Sequence, residues 1–169
     1  MKADRVLVMN LGGIVLLNDA IGGVTVTVED DMTALDPALE QGATVHLTGD
    51  MAESFVRGRM GIGDGTNASR MRRQSAYINA LVETLREKLA EDDGFASEVL
   101  DILSGHMETS VPENTLLNEA NAYGKYDWQP LVILPGMHAI GEDGFAEFWP
   151  DQPALTEMAV GIWFAESGK

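Results

Sequence analysis

The sequence predicts an α+β fold, a mainly antiparallel sheet with a central helical segment packed on one face. Three observations carry that prediction. The first fifty residues read as strands, the middle of the chain spaces its apolar residues as helices do, and from Leu131 short apolar runs closed by turns return. A doubly wound nucleotide-binding fold would need single strands and helices to alternate, and here they do not.

Taken in order, "VTVTV" at Val24 to Val28 alternates strictly, so its valines share one face and its threonines the other, as in a half-buried strand. The pairs Gly12-Gly13 and Gly22-Gly23 bracket "IVLLNDA", which reads as an apolar strand between turns, and a further strand is expected from Ala43 to Leu47. Ile78, Leu81, Val82, Leu85 and Leu89 then fall at offsets of three and four. This spacing predicts a helix that buries Ile78, Leu81, Leu85 and Leu89 and ends at Gly94. A short helix follows with Val99, Leu100 and Leu103 inside and Gly105 as its stop. A third begins at "SVPE", where Ser110 and Glu113 have capping-box spacing and Pro112 sits in the first turn, and it stops at Gly124. "LVILPG" and the terminal "MAVGIWFAES" are expected as strands. Asp-Gly-Phe-Ala occurs at 93–96 and again at 143–146, an echo of turn chemistry and not a repeat.

A chain of 169 residues with 45% hydrophobic content can bury one sizeable core. One α+β domain over 1–169 is therefore expected, with a flexible Gly/Arg-rich loop at about 57–69. Eleven Lys and Arg against twenty-seven Asp and Glu leave a net charge of −16, which repels free nucleic acid and anionic membrane at long range. The absence of cysteine removes disulfides, thiolate nucleophiles and Cys-ligated zinc. Val6 to Leu17 is too short to span a bilayer and lacks a cleavage pattern, so it is expected to be strand and not a signal.

Against this acidity, "RGRMGIGDGTNASRMRR" from Arg57 to Arg73 collects five of the seven arginines and four glycines. It is not a Walker loop, because Thr66-Asn67 stands where Lys-Ser/Thr is needed. Gly61, Gly63 and Gly65 also lack dinucleotide-fingerprint spacing. What remains is a glycine loop entering a helix, with Asn67 or Ser69 as the N-cap and Arg70, Arg72 and Arg73 in the first turn. Cations at that end of a helix cost about 0.3–1 kcal/mol each if unpaired. Compensation can come from carboxylates of the same chain, from a carboxylate patch on another protein, or from phosphate. The assignment made from sequence is an interface formed by Arg57, Arg59, Arg70, Arg72 and Arg73.

The remaining candidates carry less. His46, His106 and His138 show no metal-ligand spacing, although His106, His138 and a carboxylate can assemble an enzyme site in space. "EDDM" at 29–32 and "EDDG" at 91–94 lack the alternating ligands of a calcium loop and read as solvated turns or helix ends. Trp128, Trp149, Trp163, Tyr123, Tyr126 and Phe148 gather in the last third, where core packing is the main reading and an aromatic binding platform the lesser one. No catalytic residue, metal or cofactor is assigned.

In overall character the chain resembles a tailed-bacteriophage virion structural protein of the neck, tail-terminator or tail-completion kind: small, α+β, cysteine-free, acidic and rich in glycine loops such as "GIGDGTN". That resemblance implies a non-enzymatic assembly subunit of a symmetric oligomer. Its partners would be copies of itself and neighbouring virion proteins, with no free nucleic acid and no membrane, and it would reside in a virion assembled in the host cytoplasm. The competing readings are a small acidic binding or inhibitor module, and an enzyme with a spatially assembled His/carboxylate site.

Overall fold

A computed structural model describes residues 4–58, 61–63, 65, 67–129 and 131–164. These residues divide into two compact units, the first ending at Leu131 and the second beginning at Val132. Among the described residues the α+β class holds, with six helices and strands that pair antiparallel throughout. The described strands form three separate two-stranded ladders in place of one continuous sheet.

In the first unit, β1 (Leu7–Met9) leads straight into α1 (Leu11–Ala20), where a strand is expected from sequence. The cause is local. Asn10 Oδ1 accepts the Gly13 backbone N–H and caps the helix, and a Cβ at Gly13 would lie 2.5 Å from Met9 Cγ. Gly22 and Gly23, both at positive φ, then turn the chain into β2 (Val24–Thr27), which pairs with β3 (Thr44–Leu47) in the register Val24↔Leu47 to Thr27↔Thr44. Val24, Val26 and Val28 are buried and Thr25 and Thr27 exposed, as the alternation requires.

β3 is followed by α2 (Gly49–Arg57), which the sequence reading lacks, and then by α3 (Asn67–Glu91). The long helix exists, but its most buried face is not the aliphatic one. Ser69, Arg73 and Tyr77, four residues apart, are buried along its first half, and Leu89 near its end. Ile78, Leu81 and Leu85 are only half-buried. α4 (Phe95–Leu103), β4 (Met107–Thr109) and α5 (Glu113–Tyr123) complete the unit, with β4 pairing β1. The expected Ser110 cap is not made: Pro112 is the N-cap of α5, and the Ser110 hydroxyl instead accepts the Val6 N–H. The core is drawn mainly from residues 21 to 103, with Phe55, Leu39, Met32 and Ile62 among its buried side chains.

In the second unit, β5 (Gly136–Ile140) and β6 (Ala146–Pro150) form a hairpin, and α6 (Gln152–Trp163) follows. Leu131 to Leu134 is irregular and Met158 to Trp163 is helical, both where strands are expected, while 165–167 of the expected last strand lie outside the described residues. Asp151 explains the helix, since its side chain accepts the Ala154 N–H and Pro153 lies in the first turn. None of the unit's described residues is buried, so Phe148, Trp149 and Trp163 are exposed and do not pack in a core as expected. The two Asp-Gly-Phe-Ala copies diverge accordingly, Phe95 buried at the start of α4 and Phe145 exposed beside the hairpin turn.

Candidate functional site: an arginine row at a loop–helix junction

The end of α2, the turn after β2 and the start of α3 meet at one side chain. Arg73 is 2% exposed, and its guanidinium donates to three segments: Nη1 to Asp30 Oδ2 at 3.0 Å and to Ser69 Oγ at 2.8 Å, and Nη2 to the Gly58 carbonyl at 2.6 Å. Ser69 Oγ in turn donates to Asp30 Oδ2. Arg73 thus spends its charge inside the fold, on the nearest carboxylate, while its Nε stays buried without a partner among the described residues.

The other arginines are held more loosely. Arg57 pairs with Glu53 one turn earlier on α2. Arg72 lies 3.6 Å from Glu29 and 3.8 Å from Asp30, too long for hydrogen bonds, and remains largely exposed. Arg70 donates to Asn67 Oδ1 at 2.5 Å, a neutral partner, and among the described residues it has no carboxylate within ion-pair reach. Arg59 lies outside the described residues. The first turn of α3 contains no acidic residue, so the helix dipole adds positive potential to this row. An open groove of about 380 Å³ adjoins it, lined by Leu35, Asp50, Glu53, Ser54, Arg57 and Gly58.

Sequence reasoning located the arginines and missed what fixes them. "EDDM" is not a uniform solvated turn. Asp31 closes the turn through Thr33, whose backbone N–H, followed by its hydroxyl, holds the carboxyl below its ordinary range, while Asp30 beside it points inward. No local signal marks Asp30, because its partners lie 39 and 43 residues away. A second buried polar chain supports the same helix. Tyr77 Oη donates to Asn18 Oδ1 at 3.1 Å, and Asn18 Nδ2 donates to the Leu47 carbonyl at 3.0 Å. Burial, with the Asp19 charge adding to it, pushes the Tyr77 hydroxyl up to about 12.

The histidines do not converge. His46 bonds Thr25 and the Gly22 carbonyl, His106 bonds Asn10, and His138 stacks at a tilt on Phe148. Among the described residues no group of three or more His, Asp or Glu could hold a metal ion, and no helix is long and apolar enough to cross a membrane.

With that geometry in hand, residues 1–158 match the model of the LytR_cpsA_psr family. No curated protein matches the chain. Among solved structures, a protein described as a transcriptional regulator from Enterococcus faecalis is 18% identical with a TM-score of 0.67, over 93% of this chain and 57% of that one. TagV of B. subtilis is 21% identical with a TM-score of 0.66, over 93% and 61%. A LytR-Csp2A-Psr enzyme from Actinomyces oris is 14% identical with a TM-score of 0.63, over 93% and 63%. The chain therefore spans about three fifths of the length of these structures, and at such identities the likeness is one of fold.

These matches overturn the functional expectations drawn from sequence. Acidity, small size and glycine loops are shared by unrelated proteins, and here they mimicked a virion subunit. The chain is not a tailed-phage neck or tail protein. Virion partners, a virion location and a non-enzymatic assembly role fall with that reading, since a solved member of the family is described as an enzyme.

Proposed function

The chain belongs to the LytR_cpsA_psr family, and from that premise we propose that it is part of a bacterial cell-envelope enzyme that transfers cell-wall glycopolymers, with the arginine row binding an anionic group of the substrate. One observation carries the proposal. In a chain of net charge −16, Arg57, Arg70 and Arg72 are gathered at one loop–helix junction, and among the described residues Arg70 has only a neutral partner there. Planar guanidinium groups suit the paired oxygens of a phosphate or pyrophosphate, and the adjacent helix N-terminus adds its dipole.

The supporting chemistry is binding and charge stabilisation. Guanidiniums at fixed positions lower the cost of negative charge developing on a transferring phosphoryl group. The experiment is a glycopolymer-transfer assay with the full-length protein. Arg70→Ala and Arg72→Ala are each expected to lose about 10–100-fold in kcat/KM, the equivalent of one charge-assisted hydrogen bond. Unchanged transfer, together with loss of a protein complex, would instead make these arginines an interface. The Enterococcus description points to nucleic acid as a second ligand, which the net charge of this chain disfavours; salt-dependent binding of duplex DNA would support it.

A further inference from the structure

We propose, resting on the anion-binding reading above, that Asp30 is the positioning residue of this site. It sets Arg73, which rivets the junction, apart from Arg70 and Arg72, which are left to meet an anion. The division is visible in the partners. Asp30 Oδ2 takes both the Ser69 hydroxyl and Arg73 Nη1, whereas Oδ1 reaches Arg72 only at 3.8 Å. One carboxylate cannot neutralise two guanidiniums, and burial decides which it serves, because an unpaired charge is far costlier at 2% exposure than in water.

The same carboxylate also sets geometry. Through Arg73 it holds the first turns of α3 against the Gly58 carbonyl at the end of α2, so Arg57, Arg70 and Arg72 stand on segments that cannot move independently. The glycine loop adds a third element. Gly63 sits at φ +50°, and a Cβ there would lie 2.8 Å from Asp30 Cγ. The loop passes this close only because residue 63 has no side chain. Asp30 itself faces arginines and a hydroxyl, so it acts through them and not on substrate.

Without the Asp30 charge, Arg73 becomes a buried cation with no anion. It is then driven toward solvent, the Gly58 carbonyl loses its donor, and the spacing of Arg57, Arg70 and Arg72 is lost. Two measurements on the full chain test this. The first is calorimetric titration with inorganic pyrophosphate. The second is NMR of the arginine Nε–H groups, which reports Arg73 without any ligand. Asp30→Asn is expected to weaken pyrophosphate binding at least tenfold and to expose the Arg73 Nε–H to rapid exchange, while thermal melting stays cooperative. Asp30→Glu should recover part of the affinity, and Gly63→Ala, which displaces the carboxylate without removing it, should lose part.

Wild-type affinity in Asp30→Asn, or an Arg73 Nε–H that stays protected there, overturns the proposal. If wild-type protein binds no pyrophosphate, the anion-binding reading fails separately, and the Arg73 signal still judges Asp30. If Asp30→Asn does not fold, Gly63→Ala carries the test, and unchanged affinity and protection in it count against the proposal.

Discussion

Two antiparallel ladders of nearly equal length stand in contrast. β2–β3 has four residue pairs and buries Val24, Val26 and Leu47, whereas β5–β6 has five pairs and buries nothing. Both are paired antiparallel along their whole length. The difference is what covers one face: β2 lies under α3, and its valines join a core that includes Phe55 and Met32, while Met137, Phe148 and Trp149 on the second ladder remain exposed. A two-stranded ladder by itself is marginal in water, so stability in this chain comes from the covered ladder.

That contrast breaks first at Phe55, which is wholly buried. Phe55→Ala should destabilise the first unit by roughly 3–5 kcal/mol in denaturant melting. A near-neutral result would show that the covered ladder is not what holds the unit together. Next comes Arg73→Leu, expected to cost about 2–3 kcal/mol by stranding Asp30 and the Gly58 carbonyl, measured by the same melts.

Tyr77→Phe should cost about 1 kcal/mol at neutral pH by leaving Asn18 Oδ1 unpaired. It also carries a pH signature. The folded-state hydroxyl titrates near 12 and the unfolded one near 10, so the native state keeps a proton that the unfolded state releases. The stability linked to Tyr77 is fully present below pH 10 and is lost as pH rises toward 12. Tyr77→Phe should therefore flatten the alkaline melting profile relative to wild type.

The smallest effect is expected in the uncovered ladder, where Trp149→Ala should shift the first unit's melting by no more than about 0.5 kcal/mol. Amide exchange in β5 and β6 should be fast in both proteins, against slow exchange in β2 and β3. Slow exchange in the hairpin would mean that something covers it in solution.

What the sequence made legible follows the same physics. Strict alternation betrayed β2 because one covered face imposes a period of two. The spacing from Ile78 to Leu89 betrayed α3 in the same way, though only as a half-buried stripe. α1 was hidden because "GGIVLL" is apolar on every side and contains two glycines, so only the Asn10 cap distinguishes it from a strand. α6 left a usable signal, Asp151 followed by Pro153, that the aromatic run after it obscured. The site was half legible. A cluster of arginines in an acidic chain stands out by composition, but nothing in "EDDM" tells Asp30 from Asp31, since one serves its own turn and the other a helix 43 residues on.

The close approach of Gly63 to Asp30 has a bearing on how this sequence can vary. Residue 63 can gain a side chain only by displacing the carboxylate of residue 30, and losing that carboxylate leaves Arg73 stranded in the interior. No one of the three positions can change alone without cost, since losing Arg73 strands the Asp30 carboxylate in its turn. Each single substitution passes through a less stable intermediate, so a lineage has to change the three together or leave all three residues as they are.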